Sequence, residues 1–132
     1  MISDSERNTL IQYRINQSKQ TKIEADFLIT NKMYNASMNR IYYSMFYIIL
    51  ALGLKYQFET SKHQQLIGWF TKTFIKTNLL NRKYGKLLQE TYDFRQRGDY
   101  EPFLEFSFED VTNKFAQLEE FLVIIEDFIL KE

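Results

Sequence analysis

The chain has no cysteine, one proline, four glycines, one histidine and one tryptophan in 132 residues. Without cysteine there is no disulfide framework, no thiolate metal ligand and no sulfur nucleophile. A lone histidine leaves a structural zinc site without a ligand set. So little proline and glycine removes the punctuation that a β-rich fold requires. The longest apolar run, 45–54, is far shorter than the roughly 20 residues that span a bilayer. The opening M-I-S-D-S-E-R lacks the basic-then-apolar order of a signal peptide. We therefore expect a cytoplasmic chain with no membrane contact. No Gly-rich phosphate loop, Ser nucleophile elbow or H-E-x-x-H motif is present. Carboxylates such as Glu24 and Asp26, or Glu119 and Glu120, lack paired metal spacing, so we expect neither a metal nor a cofactor.

What is present is aromatic and helical. Aromatics make up 17% of the residues, ample material for a core of large side chains. The length suits one domain over 1–132. Net charge is zero but unevenly placed: 60–100 holds eight Lys or Arg against three acids, and 101–132 holds two against nine. The basic middle is suited to phosphates, or else to pairing with the acidic end.

Periodicity predicts five helices and hence an all-α, up-and-down bundle. The first, 4–30, opens on Ser3 with Glu6 at capping-box spacing and carries the stripe Ile11, Ile15, Ser18, Thr21, Ala25, Leu28. The second, 34–54, is apolar almost all round, which marks the central helix, and Gly53 reads as its end. The third, 62–76, has Ser61 and Gln64 at capping-box spacing and the inward stripe His63, Ile67, Phe70, Phe74. The fourth, 82–97, has Asn81 as its N-cap, Gly98 as its stop and Pro102 as a block beyond it. The fifth, 109–131, is apolar over a broad face including Phe121 and Phe128, wide enough for the bundle plus a further contact such as a second subunit.

The polar exceptions to this pattern are the candidate site. On the fourth helix Tyr84, Leu88 and Thr91 step inward by four and three, and Arg95 is next in that stripe. A guanidinium cannot shed its proton, so a buried one needs acceptors or a ligand. Asp99 and Tyr100 follow at once. On the second helix Arg40, Tyr43, Ser44 and Tyr47 share a face that must meet water, a subunit or the fourth helix. If it meets the fourth, Arg40 and Arg95 need an anion or Asp99 between them. His63 is the one side chain that titrates near neutrality unaided, although a lone His at a helix start is more often a packed or capping residue.

Three blocks then carry a resemblance: R-I-Y-Y-S-M-F-Y at 40–47, S-K-H at 61–63 with F-I-K-T at 74–77, and K-Y-G-K-L-L at 83–88 followed by D-F-R-Q-R-G-D-Y at 93–100. In order and spacing they resemble the HEPN domain, in its small stand-alone prokaryotic branch with an R-x-x-x-D-Y motif. The resemblance implies a helical bundle that commonly dimerises with its motif arginines at the subunit interface. It also implies a toxin–antitoxin setting, with a nucleotidyltransferase as partner protein and a nucleotide or RNA as ligand. Nuclease members carry Arg, four to six residues, then His; from Arg95 those places hold Tyr100, Glu101 and Pro102, and the aromatic block ends at Tyr47 where relatives often have His. Metal-independent RNA cleavage needs a base and an acid. That would leave His63, Tyr43, Tyr100 and Asp99 to supply them, with Arg40 and Arg95 stabilising the phosphorane charge. The expected catalytic set is Arg95, His63 and Tyr100, with Arg40, Tyr43, Tyr47 and Asp99 holding the ligand. The competing reading is a non-catalytic helical interaction module in which the same residues form a structural network.

Overall fold

The computed structural model describes residues 2–131. Among them all regular structure is helical: α1 (Asp4–Thr30), α2 (Tyr34–Lys55), α3 (His63–Phe70), which passes directly into one π-helical turn (Thr71–Ile75), α4 (Arg82–Tyr100) and α5 (Phe108–Leu130). α2 is the central element and packs against α1, α4 and α5. The main core has Ile15 and Ala25 of α1, Phe70 of α3, Leu88 of α4 and Phe121 of α5 gathered around Met45, Ile49 and Leu52 of α2, and a smaller cluster joins Ile29, Met38 and Val111. Among the described residues no helix is long and apolar enough to cross a membrane.

The α1–α2 seam is built from small polar residues. Ser18 and Ser44 are both fully buried and exchange bonds across it. The Ser18 hydroxyl donates to the Ser44 carbonyl (2.7 Å), and the Ser44 hydroxyl donates to the Ser18 carbonyl (2.8 Å). Ser37 repeats the device further along, donating to the Ala25 carbonyl at 3.0 Å. Hydroxyls this short let two backbones approach closely while each buried polar atom keeps a partner. Ser44 therefore belongs to this seam and not to the polar face of Arg40, Tyr43 and Tyr47 with which its spacing groups it.

The helix ends show which local signals prevail. Ser3 with Glu6 forms the expected capping box, and the Asn81 side chain accepts from the Lys83 amide. At α3 the Ser61–Gln64 box does not form; Lys62 is the N-cap without a side-chain bond, and Thr60 accepts from the Lys62 amide instead. α3 also stops being α-helical at Phe70. The wider π turn that follows puts both Phe74 and Ile75 into the core. α4 does not stop at Gly98 but continues to Tyr100. Gly98 has no left-handed backbone to supply; its missing side chain makes room for the Phe106 ring, whose Cε2 would lie 2.6 Å from a Cβ there. The helix ends instead where Glu101 turns extended (φ −89°, ψ 121°) ahead of Pro102.

α2 likewise runs past Gly53 to Lys55. The Gly53 carbonyl accepts from the amides of Tyr56 (3.0 Å) and Phe58 (2.8 Å), folding the following loop back onto the helix. A Cβ on Gly53 would meet the Phe58 carbonyl oxygen at 2.8 Å, and backbone cannot swing aside as a side chain can. Gly53→Ala gains about 1 kcal/mol of helix propensity but must displace that loop, so we expect a net loss of about 1–2 kcal/mol. Urea unfolding measures it; an unchanged midpoint would mean that the loop moves without cost.

Part of the breadth of α5 is used inside the bundle. Phe121 packs on Phe70 and Tyr84, and Phe128 packs on Phe74 and Tyr56. Phe121 and Phe128 are thus used within one chain, while Phe108, Val123 and Leu130 of α5 remain exposed.

Candidate functional site

The site forms where α2 and α4 face each other, because the stripe on α4 that begins with Tyr84 and Leu88 reaches Arg95 before it leaves the core. The Arg95 side chain is 14% exposed and its carboxylate neighbour Asp99, one turn on, 27%. Continuation of α4 through Gly98 puts Asp99 at i+4, so Arg95 Nε lies 3.0 Å from Asp99 Oδ2. The N–H does not point along that vector, and Nε is left as a buried donor without a hydrogen bond. The other guanidinium nitrogens donate to Gln96 Oε1 (2.6 Å) and to the Tyr43 hydroxyl (3.1 Å).

Arg40 approaches the same tyrosine. The two guanidinium carbons lie 5.0 Å (Arg40) and 5.1 Å (Arg95) from the Tyr43 ring centroid, so one π-system serves both cations. Arg40 donates to Asn39 Oδ1 through two nitrogens (3.1 and 2.8 Å) and pairs with Glu24 of α1 at 3.5 Å. The Asn39 amide in turn donates to Asp99 Oδ2 at 2.9 Å. Glu24, Arg40, Asn39, Asp99, Arg95 and Tyr43 thereby form one connected network with two positive and two negative groups.

Arg40, Tyr43, Arg95 and Asp99 are therefore brought together. Tyr47 adjoins them, its ring 5.8 Å from that of Tyr43. Tyr100 is 72% exposed and makes none of the network's contacts. Sequence reasoning missed Asn39 and Glu24. Asn39 sits next to Arg40 at the α2 edge where Asn35, one turn earlier, clamps the 101–107 loop through Leu104 O and the Phe106 amide; that i, i+4 pair of asparagines on a buried helix was the available signal. Glu24, one acid of a solvated α1 face, gave none.

His63 lies behind the network and is held by aromatics. It stacks on Phe46 with centroids 4.2 Å apart and meets the Tyr43 ring edge-on at 5.6 Å. Its Nδ1 is 2.7 Å from the Tyr42 hydroxyl. Burial, reinforced by the nearby phenols of Tyr92 and Tyr43, pushes the Tyr42 hydroxyl far up, so it stays protonated. Burial first, and the Arg95 charge second, hold the His63 imidazole below its usual value, so it is neutral at pH 7. The Tyr42 hydroxyl and Nδ1 share one hydrogen bond, whose donor depends on which imidazole tautomer is present.

This has a measurable consequence. Above pH of about 6.5, the ordinary His value, folded and unfolded chains both carry a neutral His63. As pH falls below that value the unfolded chain takes up a proton before the folded one does, so stability drops until the folded pKa is passed. We expect unfolding midpoints to fall between pH 7 and 5 in the wild type and to fall less in His63→Gln. Parallel profiles would show that carboxylates alone set the acid limb.

The basic and acidic stretches pair only in part. Glu120 meets Lys83 at 2.8 Å, while Glu119 and Glu126 pair with Lys22 and Lys19 of α1. Lys114 is nearly buried between α4 and α5, paired with Glu90 and lying 5.1 Å above the Phe94 ring. Lys72, Lys76, Arg82 and Lys86 have no ion-pair partner among the described residues. Nor, among these residues, do three or more acidic or imidazole groups gather as a metal site would require.

Comparison with known proteins agrees with this architecture. The HEPN domain profile matches residues 11–128. A UPF0332 protein of Thermotoga maritima is 32% identical over 125 residues, covering 95% of each chain. Two Methanocaldococcus jannaschii proteins bear the name "putative toxin". One is 33% identical over 96 residues (73% of this chain, 65% of its own length), the other 29% over 90 residues (68% and 67%). By a match that spans nearly all of α1 through α5, the chain belongs to the HEPN domain family.

Proposed function

We propose that the protein binds a nucleotide or RNA phosphate at the Arg40–Tyr43–Arg95 cluster, as the HEPN member of a toxin–antitoxin-type pair. The observation that carries this reading is the pair of guanidiniums gathered at one tyrosine ring, 5.0 and 5.1 Å from its centroid. Two cations held this close repel each other unless anions stand by, and a phosphate dianion is matched to arginine forks. The names of the two archaeal relatives support the toxin setting. The family resemblance supports a homodimer and a nucleotidyltransferase partner.

Binding is assigned here in preference to cleavage. His63 lies behind the network, stacked on Phe46 with Nδ1 engaged by the Tyr42 hydroxyl, and Tyr100 is exposed and outside the network's contacts, so neither is placed beside the arginines as a base. A second reading has its own observation: Glu24 and Asp99 already neutralise the two arginines, which is what a structural network inside an interaction module requires.

Ligand-induced stabilisation separates the two. A ligand at 100 times its Kd adds about 2.7 kcal/mol, enough to raise Tm by roughly 5 °C or more in a chain of this size. Single-stranded RNA or AMP should raise the wild-type Tm by that much and leave Arg95→Ala unmoved. Equal shifts in both proteins would mean that the ligand acts elsewhere; none in either would leave the network structural.

A further inference from the structure

The strongest unassigned feature is a cleft of about 410 Å³ beside the arginine cluster, within the range of roughly 300–1,000 Å³ typical of small-ligand sites. Arg40, Tyr43, Tyr47, Leu50 and Leu54 step along α2 by three and four, so they share one face. The first two belong to the cluster and the last three line the cleft. Tyr47 joins the regions, its ring a wall of the cleft and 5.8 Å from that of Tyr43. Phe58 also lines the cleft, held in place by a near-parallel stack on Trp69 (4.9 Å, 4°) and by the backbone bond to Gly53. Phe46 and Leu50 supply apolar surface; Glu59 and Ser61 supply polar atoms. Arg14 lines the cleft from α1. It donates to Gln17 at 2.8 Å and, among the described residues, has no carboxylate partner.

We propose that this cleft receives an unpaired base of a single-stranded RNA whose adjoining phosphate lies on Arg95 and Tyr43, a reading that rests on the phosphate-binding function above. A cleft lined by the rings of Phe46, Tyr47 and Phe58 offers aromatic surface to the π-face of any base, and the nearby arginines are available to the backbone, the combination by which proteins hold single strands. Tyr43 and Tyr47 are four residues apart, about 6 Å along the axis, which suits a base and its own phosphate. Arg14, which lines the cleft from α1, is then available to the next phosphate. Glu59 accepts from an exocyclic amino group, so the site favours amino-bearing bases over uracil. A duplex cannot enter, because its bases are stacked and paired.

The experiment uses fluorescence anisotropy with a labelled oligoadenylate, its abasic counterpart, a duplex of the same length, and AMP as competitor. It also follows emission of Trp69, the chain's only tryptophan. Leu10→Trp fills the cleft from its partly exposed α1 rim, and Arg14→Ala provides a second variant should the first fold poorly; circular dichroism melts verify both. We expect oligoadenylate to bind the wild type and quench Trp69, and either variant or the abasic strand to weaken binding roughly tenfold. The duplex and AMP should bind more weakly than the oligonucleotide. Tight, Arg95-dependent binding that is indifferent to the cleft variants and to the missing bases overturns the cleft proposal and leaves the phosphate reading intact. AMP binding as tightly as the oligonucleotide overturns the single-strand assignment. A wild type that binds no RNA overturns both readings.

Discussion

Ser44→Leu is expected to cost the protein about 3 kcal/mol or more, while Ser44→Ala costs about 1 kcal/mol. The alanine variant removes one buried hydrogen bond, the one to the Ser18 carbonyl, at the usual net worth of such a bond. The carbonyl itself remains in its α1 ladder. Leucine adds three carbons to a position with zero exposure, where the only space is the α1 backbone around Ser18. Overpacking commonly costs about 1–3 kcal/mol where side chains can yield; here the obstacle is a helix backbone, and the Ser37–Ala25 contact further along resists separation of the helices. Set against a total stability of about 5–15 kcal/mol, that loss should appear as a large fall in the urea midpoint. A Ser44→Leu midpoint close to wild type would mean that α1 and α2 part easily.

That seam also shows how far the sequence could be read. Ser18, Thr21 and Ala25 are legible as the inner stripe of α1 because helical spacing alone groups them. Ser44 is not, since the same spacing places it equally well with Arg40, Tyr43 and Tyr47, and only packing decides that it turns to α1. Gly98 and Gly53 fail as stop signals for a related reason. A glycine near a helix end can supply a left-handed turn or an empty space, and both of these supply space, for Phe106 and for the Phe58 carbonyl. Pro102 is read correctly because its effect is steric and local. The α5 capping box, Ser107 with Asp110, was present in the sequence but has aspartate where glutamate is usual. The π turn after Phe70 has no sequence signature that we can identify.

For the site, the chemistry was legible and its wiring was not. Arg95 stands out because an arginine continues an apolar stripe, and Arg40 with Tyr43 because they are polar exceptions on an apolar helix. Their convergence follows from α2 facing α4. Asp99 needed one more step: it pairs with Arg95 at i+4 only because α4 runs on through Gly98. Asn39 and Glu24 enter through tertiary placement, which periodicity does not report. His63 was read as an inward residue, and it is one, but its engagement by Tyr42 depends on the start of α3 lying against the middle of α2.

Asp99→Asn should move stability and affinity in opposite directions, and that opposition distinguishes a ligand site from a structural network. In the free protein the carboxylate is the nearest anion to Arg95 and also accepts from Asn39. Removing its charge leaves two guanidiniums around Tyr43 with only Glu24, at 3.5 Å from Arg40, to offset them. Loss of one partner from a fully buried ion pair costs about 3–5 kcal/mol; with Asp99 about a quarter exposed, solvent screening reduces this, and we expect about 1–2 kcal/mol. The same change takes the network from zero to one net positive charge and removes the group that competes with an incoming phosphate. Affinity for single-stranded RNA at low salt should therefore rise roughly tenfold, equivalent to about 1.4 kcal/mol, and the gain should shrink as salt is added. Arg95→Ala in the same background should abolish the gain, since the phosphate then has no fork to replace the carboxylate. If Asp99→Asn loses stability while RNA affinity stays at the wild-type level, the carboxylate was neutralising the arginines for the fold alone, and the interaction-module reading is the correct one.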